Sequence, residues 1–534
     1  MNPIPRREFI KLSAAIGADL AAGSLVNPAL AQTASQSRRP NIVVFLTDDH
    51  ARWAQHAYGN SELWTPNMDR LAAQGTRMTR AFTTCPVCSP ARASFFTGRM
   101  PSQHGIQDYL GTKDSVVTNY LAGQTLISEL LKSAGYRTGL VGKWHCGCDR
   151  EPKPGFDRWF SYWKNQYPHL GEQHFSDQGN LVVENGQQSP FLTRQAVNFI
   201  RDHRQKEGVD GNPFFLFISY VDTHSPHNQA PPEWVRRYES ATFRDIPNET
   251  FASCHIQAVH PQTETAEQQR QKHMEYYAAV SFLDQQIGEV LAELQTSGLM
   301  DNTLVVYTSD HGLNCGQHGI WEKGEATIPQ NFLEESVAIA CTLSWPTGGI
   351  RQNATCDDFV NHCDLWATLL EIAGATPAAS AAAQINSPGI SYLKQLRGQS
   401  VQAWRQTIFS EYGNARMARN DRYKLINRYP YAGVRFPNEL YDLQEDPRET
   451  VNRCDDPVLK QVVSDLSSQL DIFFAKFTIA GHDGLDLEHQ PMFAGNSCWL
   501  KAQQEYSGTV NSFHPRNAES ENPNERSAEE PKEN

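Results

Sequence analysis

Four apolar runs in this sequence each end on residues that can titrate or bind a metal. "NIVVFLT" (41–47) runs into Asp48 and Asp49. "YRTGLVG" (136–142) runs into Lys143, with His145 two residues on. "PFFLFISYV" (213–221) leads to Asp222 and His224, and "TLVVYTS" (303–309) to Asp310 and His311. Taken singly, an Asp behind a strand is usually a turn or cap residue, and a loop Lys or His is solvated. Together the four sets are complementary. Asp48, Asp49 and Asp310 are hard oxygen ligands for a divalent cation, and His311 can complete the set. Lys143, His145 and His224 supply positive charge and proton transfer. That combination suits a pocket for a metal and an anion.

A fifth stretch, "FTTCPVCSPARASFFTG" (82–98), adds a reactive group. Pro90 suits the first turn of a helix through "ARASFF", with Cys88 and Ser89 just before it. A helix N-terminus favours an anion or an ionised nucleophile. Arg92 adds a planar fork matched to tetrahedral oxyanions.

Elements of two kinds must position these groups. The apolar runs are continuous and β-rich, as in strands covered on both faces of a parallel sheet. Helix patterns alternate with them: from Pro66, capped by Thr65, to a stop at Gly75; "TLISELLKSAG"; a long amphipathic segment from about 268 to 299; and "DLWATLLEIAG". The fold class is α/β, a large, mostly parallel (mixed) sheet flanked by helices over 40–398. In such sheets ligands bind beyond the carboxyl ends of the strands, which puts all four sets on one rim. After about Gln399 the pieces shorten ("QTIFSEY", "YKLINR", "ELYDL"), predicting a smaller α+β domain with a short antiparallel sheet over 399–515.

The 534 residues are 39% hydrophobic and 20% charged, with a formal charge of −13. That balance excludes a general nucleic-acid or anionic-membrane binder but not an anionic small substrate. Eleven scattered cysteines in a chain this long exclude a small disulfide scaffold. Arg6-Arg7-Glu8-Phe9-Ile10-Lys11, a weakly apolar stretch and Ala29-Leu30-Ala31 read as a twin-arginine signal over 1–31, with cleavage before Gln32. The expected partner is the Tat export machinery and the expected address periplasmic or secreted. No other segment reaches membrane-spanning length. The acidic tail, 516–534, has the composition of a disordered segment.

Cys88-Ser89-Pro90-Ala91-Arg92 followed by "ASFFTGR" resembles the signature of type I sulfatases, C-x-P-[SA]-R-x-x-x-[LF]-T-G. "LTDDH", "TPNMDRLAAQG", "GRMPSQHGI", "GLVGKWHCG", "PGFDRWF", "TSDHG", "HGIWEKG" and "ELYDLQEDPRE" look like further blocks of that family in its order, across roughly 40–455. The resemblance implies an alkaline-phosphatase-like fold and conversion of Cys88 to Cα-formylglycine (3-oxoalanine) by a formylglycine-generating enzyme. It implies Asp48, Asp49, Asp310, His311 and an oxygen of modified Cys88 as ligands of Ca2+. The family often has Asn where this chain has His311, and a nitrogen donor leaves Mg2+ or Mn2+ open. Arg92 and Lys143 would stabilise the hydrated aldehyde, with His145 as the base beside it. Lys323 of "IWEKGE" and His224 would bind sulfate, one of them protonating the leaving oxygen. "THSPH" offers two histidines, and His224 is preferred over His227 because it has the family spacing and the H-x-P form. Cys85 has no family role. His104 and His318 match family blocks without a chemical role, and His255, His260 and His273 read as surface residues.

The implied reaction is hydrolysis of a sulfate ester. An aldehyde hydrate has one hydroxyl to attack sulfur and a second whose deprotonation expels sulfate, an exit that serine lacks. A sulfated carbohydrate is the expected substrate, with "FDRWFSYWKNQYPH" and "PPEWVRRY" either stacking sugars or filling the core. The alternatives are a phosphonate or phosphate ester hydrolase of the same superfamily, and a non-catalytic binder of sulfated glycans.

Overall fold

The computed structural model describes residues 38–111, 118–163, 169–246, 257–258, 264–491 and 497–506. The leader, the acidic tail, His255 and His260 lie outside the described residues. From Arg39 onward the chain forms one compact unit. Its main sheet has ten strands: β1 Asn41–Thr47, β2 Thr76–Met78, β3 Arg137–Gly142, β4 Arg158–Tyr162, β5 Leu170–Asp177, β6 Asn180–Gln187, β7 Phe214–Tyr220, β8 Thr303–Ser309, β9 Cys341–Ser344 and β10 Ala354–Cys356. Their spatial order is β10-β2-β9-β8-β1-β7-β3-β4-β5-β6.

The central five strands, β8-β1-β7-β3-β4, are mutually parallel. Antiparallel pairs extend the sheet on both sides, β8–β9 and β9–β2 on one, β4–β5 and β5–β6 on the other. The register of the centre decides the function. Thr47 lies opposite both Ser309 and Tyr220, and Gly142 opposite Ser219. Four strands therefore end level, and the residues that follow them leave the sheet side by side.

Every residue of β1, β7 and β8 is buried, because both faces of the sheet are covered. Alternate side chains of β1 go to different cores, as a period of two requires. Ile42, Val44 and Leu46 pack with Phe95 and Phe96 of α1 (Cys88–Thr97) and Leu365 and Leu369 of a C-terminal helix (His362–Ala373). Val43 and Phe45 pack with Leu192 of α2 (Gln188–Glu207) and Leu283 and Ile287 of α3 (Ala266–Thr296). At about 1.5–3 kcal/mol for each fully buried large apolar side chain, these two layers dominate the stability of the unit. Helix ends follow local chemistry. A Thr265–Gln268 capping box opens α3, and the Asn361 side chain accepts from the N–H groups of Cys363 and Asp364 to open α4, His362–Ala373.

The C-terminal region forms a four-stranded antiparallel sheet, β11 Ile408–Tyr412, β12 Ala415–Arg419, β13 Tyr423–Arg428 and β14 Glu439–Asp442, in that order. Ala418, Leu425 and Leu440 face Leu466, Leu470 and Phe474 of α5 (Lys460–Phe477). Tyr412, Met417, Ile426 and Tyr441 face Phe82, Val87, Phe332 and Val337 of the main body.

The aromatic stretches are mainly core. Phe156, Trp159, Phe160, Tyr162 and Tyr238 are buried, while 164–168 lie outside the described residues. Cys85 is a buried free thiol, and the described cysteines form no disulfide. Among the described residues no helix is long and apolar enough to cross a membrane.

Candidate active site

The helix α1 carries the nucleophile motif. Val87, in an extended conformation, is its N-cap, so the helix begins at Cys88, two residues earlier than expected from Pro90. All ten residues of α1 are buried. Gly98 ends it at φ 69°, where a Cβ would stand 2.5 Å from the Trp366 ring, so the close packing of α1 on α4 requires glycine.

Cys88 Sγ lies 3.3 Å from Asp48 Oδ1 and 3.2 Å from His311 Nε2. One turn on, Arg92 spreads its fork across the strand ends. Nε donates to Asp310 Oδ2 at 2.9 Å, Nη2 to Asp48 Oδ2 at 3.1 Å, and Nη1 to Ser219 Oγ at 2.7 Å and the Lys143 carbonyl at 3.1 Å. Lys143 Nζ bonds the same Asp48 Oδ2. Lys323 Nζ bonds both oxygens of Asp49, at 2.7 and 3.0 Å, and stands 3.4 Å from His224 Nε2. Three carboxyl groups and three cationic side chains thus meet in one buried group.

The neighbouring carboxylates are pulled apart electrostatically. Burial pushes Asp48 up, but Lys143 and Arg92 outweigh it and hold the carboxyl well below its usual range. Burial pushes Asp49 well above that range, with Lys323 only partly opposing it. Burial and Asp48 raise the Cys88 thiol well above its ordinary value. As an unmodified thiol it stays protonated and is a poor nucleophile.

Hydrogen bonds fix the tautomers of three histidines. The backbone N–H of His145 donates to Asp149 Oδ2 at 3.0 Å, and its Nε2 contacts the Leu110 carbonyl at 3.1 Å. Nε2 therefore carries the proton, and Nδ1 is a bare acceptor. Burial, then Lys143 and Arg92, hold His145 well below its ordinary value, so it is neutral. His311 Nδ1 donates to the Gly312 carbonyl at 2.9 Å and turns an unprotonated Nε2 toward Cys88. His224 Nδ1 donates to the Ser225 carbonyl at 2.9 Å, leaving Nε2 toward Lys323. His227 is different: its ring packs against Tyr276 and Trp321, with centroids at 5.1 and 6.1 Å, as part of the wall.

The donor atoms of Asp48, Cys88, Asp310 and His311 lie within 4.8 Å of one another, and those of Asp48, Asp49, Cys88 and His224 form an overlapping group. Carboxylate oxygens with one oriented imidazole fit a divalent cation. A cation added among these groups would shift the pocket toward positive charge, as an anionic ester requires.

The structure also supplies partners that the sequence did not reveal. Ser219 anchors Arg92, Asp149 and the Leu110 carbonyl hold His145, and Gln229 Nε2 bonds the carbonyls of Asp222 and His224. None follows from local pattern, although a serine inside "FFLFISY" was a visible irregularity. Gly142 is required beside it: at φ 108°, a Cβ there would stand 2.0 Å from the Ser219 carbonyl oxygen. Asp222 meets Ser189 instead of the carboxylate group above. His104 bonds Ser94 Oγ and His318 bonds Glu335, both structural. His273, expected at the surface, is half-buried: its ring stacks on Trp321 at 5.2 Å and bonds the Cys315 carbonyl.

Comparison with known proteins agrees with this geometry. Residues 40–375 match the sulfatase family, and 316–476 match the C-terminal region of N-sulphoglucosamine sulphohydrolase. The chain is 26% identical over 502 residues to an N-acetylglucosamine-6-O-sulfatase of Bacteroides thetaiotaomicron, covering 82% of this chain and 85% of that one. Its fold is similar to that of a protein solved with its substrate D-glucosamine-2-N,6-O-disulfate, with TM-score 0.67, 21% identity and coverage of 82% and 98%. It is also similar in fold to a phosphonate monoester hydrolase of Agrobacterium radiobacter, with TM-score 0.63, 20% identity and coverage of 83% and 97%. The chain belongs to the sulfatase family, sulfuric ester hydrolases on an alkaline-phosphatase fold.

Proposed function

We propose that this chain removes sulfate from a sulfated sugar, with Cys88 acting after conversion to formylglycine and with a divalent cation held by Asp48, Asp49, Asp310, His311 and the modified residue. The observation that carries the reading is the position of Cys88 Sγ, 3.3 Å from Asp48 Oδ1 and 3.2 Å from His311 Nε2, in the first turn of a buried helix beside Arg92. The hydrated aldehyde would supply the attacking hydroxyl and, in its second hydroxyl, the route for releasing sulfate; the cation would favour the ionised form of the attacking group.

The remaining roles fall to the chain's own residues. Arg92 and Lys143 place positive charge beside position 88 and hold Asp48 ionised. His145, neutral and with Nδ1 bare, is the base that takes the proton from the second hydroxyl. Lys323 and His224 bind the sulfate oxygens. As the S–O bond to the sugar breaks, its oxygen takes a proton from this pair, in which Lys323 Nζ faces His224 Nε2. The name of the Bacteroides relative supports an amino-sugar sulfate. The Arg6-Arg7 leader supports export by the twin-arginine route to the periplasm or beyond, tested by N-terminal sequencing for a mature start at Gln32.

The deciding experiment joins mass spectrometry of the Cys88 peptide, from protein made with a formylglycine-generating enzyme, to turnover of 4-nitrophenyl sulfate and of sulfated amino sugars. The expected result is the aldehyde mass and sulfate release. An unmodified Cys88 in active enzyme, or faster turnover of an aryl phosphonate than of any sulfate, overturns the reading.

A further inference from the structure

The stretch "PPEWVRRY" reaches the surface at a place that no step above uses. It forms a short helix, Pro232–Arg236, and Arg237 follows it. Trp64, distant in sequence, lies beside it and is 50% exposed. The Arg237 guanidinium stacks over both indoles, 4.6 Å from the ring centroid of Trp64 and 5.6 Å from that of Trp234. Among the described residues no carboxylate pairs with Arg237, although Glu233 and Glu239 share its segment. Glu62, two residues before Trp64, accepts instead from the backbone N–H groups of Thr242 and Arg244.

The rings are held from below. The Trp64 N–H donates to the Tyr238 hydroxyl at 3.1 Å, and that hydroxyl meets Ser281 Oγ of α3. The Trp234 ring packs on Phe282 of α3, with centroids at 6.0 Å. Leu63, Tyr238 and Trp321 belong to one packed cluster, so this surface and the pocket wall at His227 share a core. Stacking occupies the faces of a guanidinium and leaves its in-plane N–H groups open, in the fork that suits a tetrahedral oxyanion. A half-exposed indole offers an apolar face to the C–H face of a sugar. A sulfated glycan presents both features, and an arginine kept without a carboxylate, in a chain of formal charge −13, complements it. We propose that Trp64, Arg237 and Trp234 form a second binding surface for a sulfated polysaccharide, holding units of the chain beyond the one in the pocket. This rests on the sulfated-sugar reading above.

The test titrates full-length Cys88→Ala protein, which binds without turnover, with heparin, chondroitin 6-sulfate and carrageenan, and with their desulfated forms. At least one sulfated polymer should bind, and its desulfated form roughly tenfold more weakly or less. Trp64→Ala and Arg237→Gln, each added to this protein, should weaken binding by roughly tenfold, as loss of an aromatic or arginine anchor does. Arg237→Lys keeps the charge without the fork and should recover only part of that loss. In enzyme with Cys88 intact, either substitution should lower kcat/KM for oligosaccharides of that polymer, relative to kcat/KM for 4-nitrophenyl sulfate, by a similar factor. Failure to bind any of the sulfated polymers, or binding indifferent to sulfate, to Trp64→Ala or to Arg237→Gln, overturns the proposal. So do equal losses on oligosaccharide and aryl sulfate, or unfolding of both variants, which would reduce the stack to a structural role. Wild-type enzyme that releases sulfate from no ester overturns the catalytic reading instead, and the titrations still decide this one.

Discussion

Among the described residues two clusters of buried charge bear comparison, one at the carboxyl ends of β1, β3, β7 and β8 and the other under the C-terminal sheet. Under that sheet, Lys424 is fully buried, with Nζ 2.8 Å from the Phe332 carbonyl, 2.9 Å from Glu334 Oε1 and 2.7 Å from Glu449 Oε1. Glu449 Oε2 in turn accepts from the backbone N–H of Glu334 at 2.7 Å. Nearby, Arg428 pairs with Glu439, whose other oxygen accepts from Tyr441. These bonds join a sheet to the segment it packs on. At the rim the partners converge from separate strand ends on Cys88; bonds at the opposite ring nitrogens turn an unprotonated His311 Nε2 to Cys88 Sγ and leave His145 Nδ1 as a bare acceptor. Burial of charge therefore does not by itself mark a site. What marks it is ligand atoms brought together, those of Asp48, Cys88, Asp310 and His311 lying within 4.8 Å of one another.

That contrast predicts opposite behaviour when each region is cut. Cys88→Ala removes the nucleophile and little else. Turnover of 4-nitrophenyl sulfate should fall by at least roughly 10³-fold, while calorimetry finds stability changed by no more than about 1 kcal/mol. Undiminished turnover would end the account of the rim. Lys424→Met should do the reverse. It leaves buried Glu449 without its lysine and Glu334 with only its arginine partners, Arg419 at 3.3 Å the nearer, and should cost about 3–5 kcal/mol in denaturant unfolding, while the protein that remains folded keeps kcat within about threefold, since distant sites act nearly independently. If kcat collapses along with stability, the two regions are one catalytic unit and the contrast fails.

The rim was legible in the sequence for a physical reason. Apolar runs buried on two faces are continuous, so the first charged residue after each run marks a strand end, and parallel strands bring those ends together. The side chains of Asp48, Asp49, Cys88, Arg92, Lys143, Asp310, His311 and Lys323 accordingly meet beyond these strand ends, with half-buried His224 beside Lys323. The sequence placed Cys88 before its helix because Pro90 looked like the opening turn; Val87 caps it instead. Three C-terminal pieces read as strands are β11, β13 and β14, while β12, "ARMAR", was missed because Arg416 and Arg419 disguise a mostly buried strand. The β5–β6 hairpin also went unread, since polar residues on its exposed face blur the alternation.

Metal removal tests the rim at a smaller scale. Chelation should suppress turnover and lower the melting temperature, since a cation at a hundredfold excess over its dissociation constant stabilises the fold by about 2.7 kcal/mol. Readdition of Ca2+, Mg2+ or Mn2+ in parallel identifies the cation that restores both. A melting temperature indifferent to chelation and readdition would mean that Asp48, Asp310 and His311 hold no cation in the folded protein.

The smallest effect belongs to the C-terminal network, and its sign follows from two carboxylates sharing one lysine. Burial pushes Glu334 up, but Lys424 and Arg419 hold it well below its usual range. Burial pushes Glu449 up to about 7, with Lys424 drawing it down and Glu334 raising it. A carboxyl raised in the fold keeps a proton that the unfolded chain has released. Its contribution is therefore full below the ordinary Glu range and is lost as pH climbs through about 7. Glu334 acts in the opposite sense, but only below its ordinary range, outside this window. His318, raised by Glu335 against the effect of burial, loses its own contribution as pH rises past its elevated value. That loss is common to wild type and variant and largely cancels when they are compared. Glu449→Gln carries an amide that cannot ionise, so between about pH 5 and about 7.5 its melting temperature should fall less steeply than that of wild type. Parallel curves would make Glu449 a permanent carboxylate and Lys424 the partner of both acids equally.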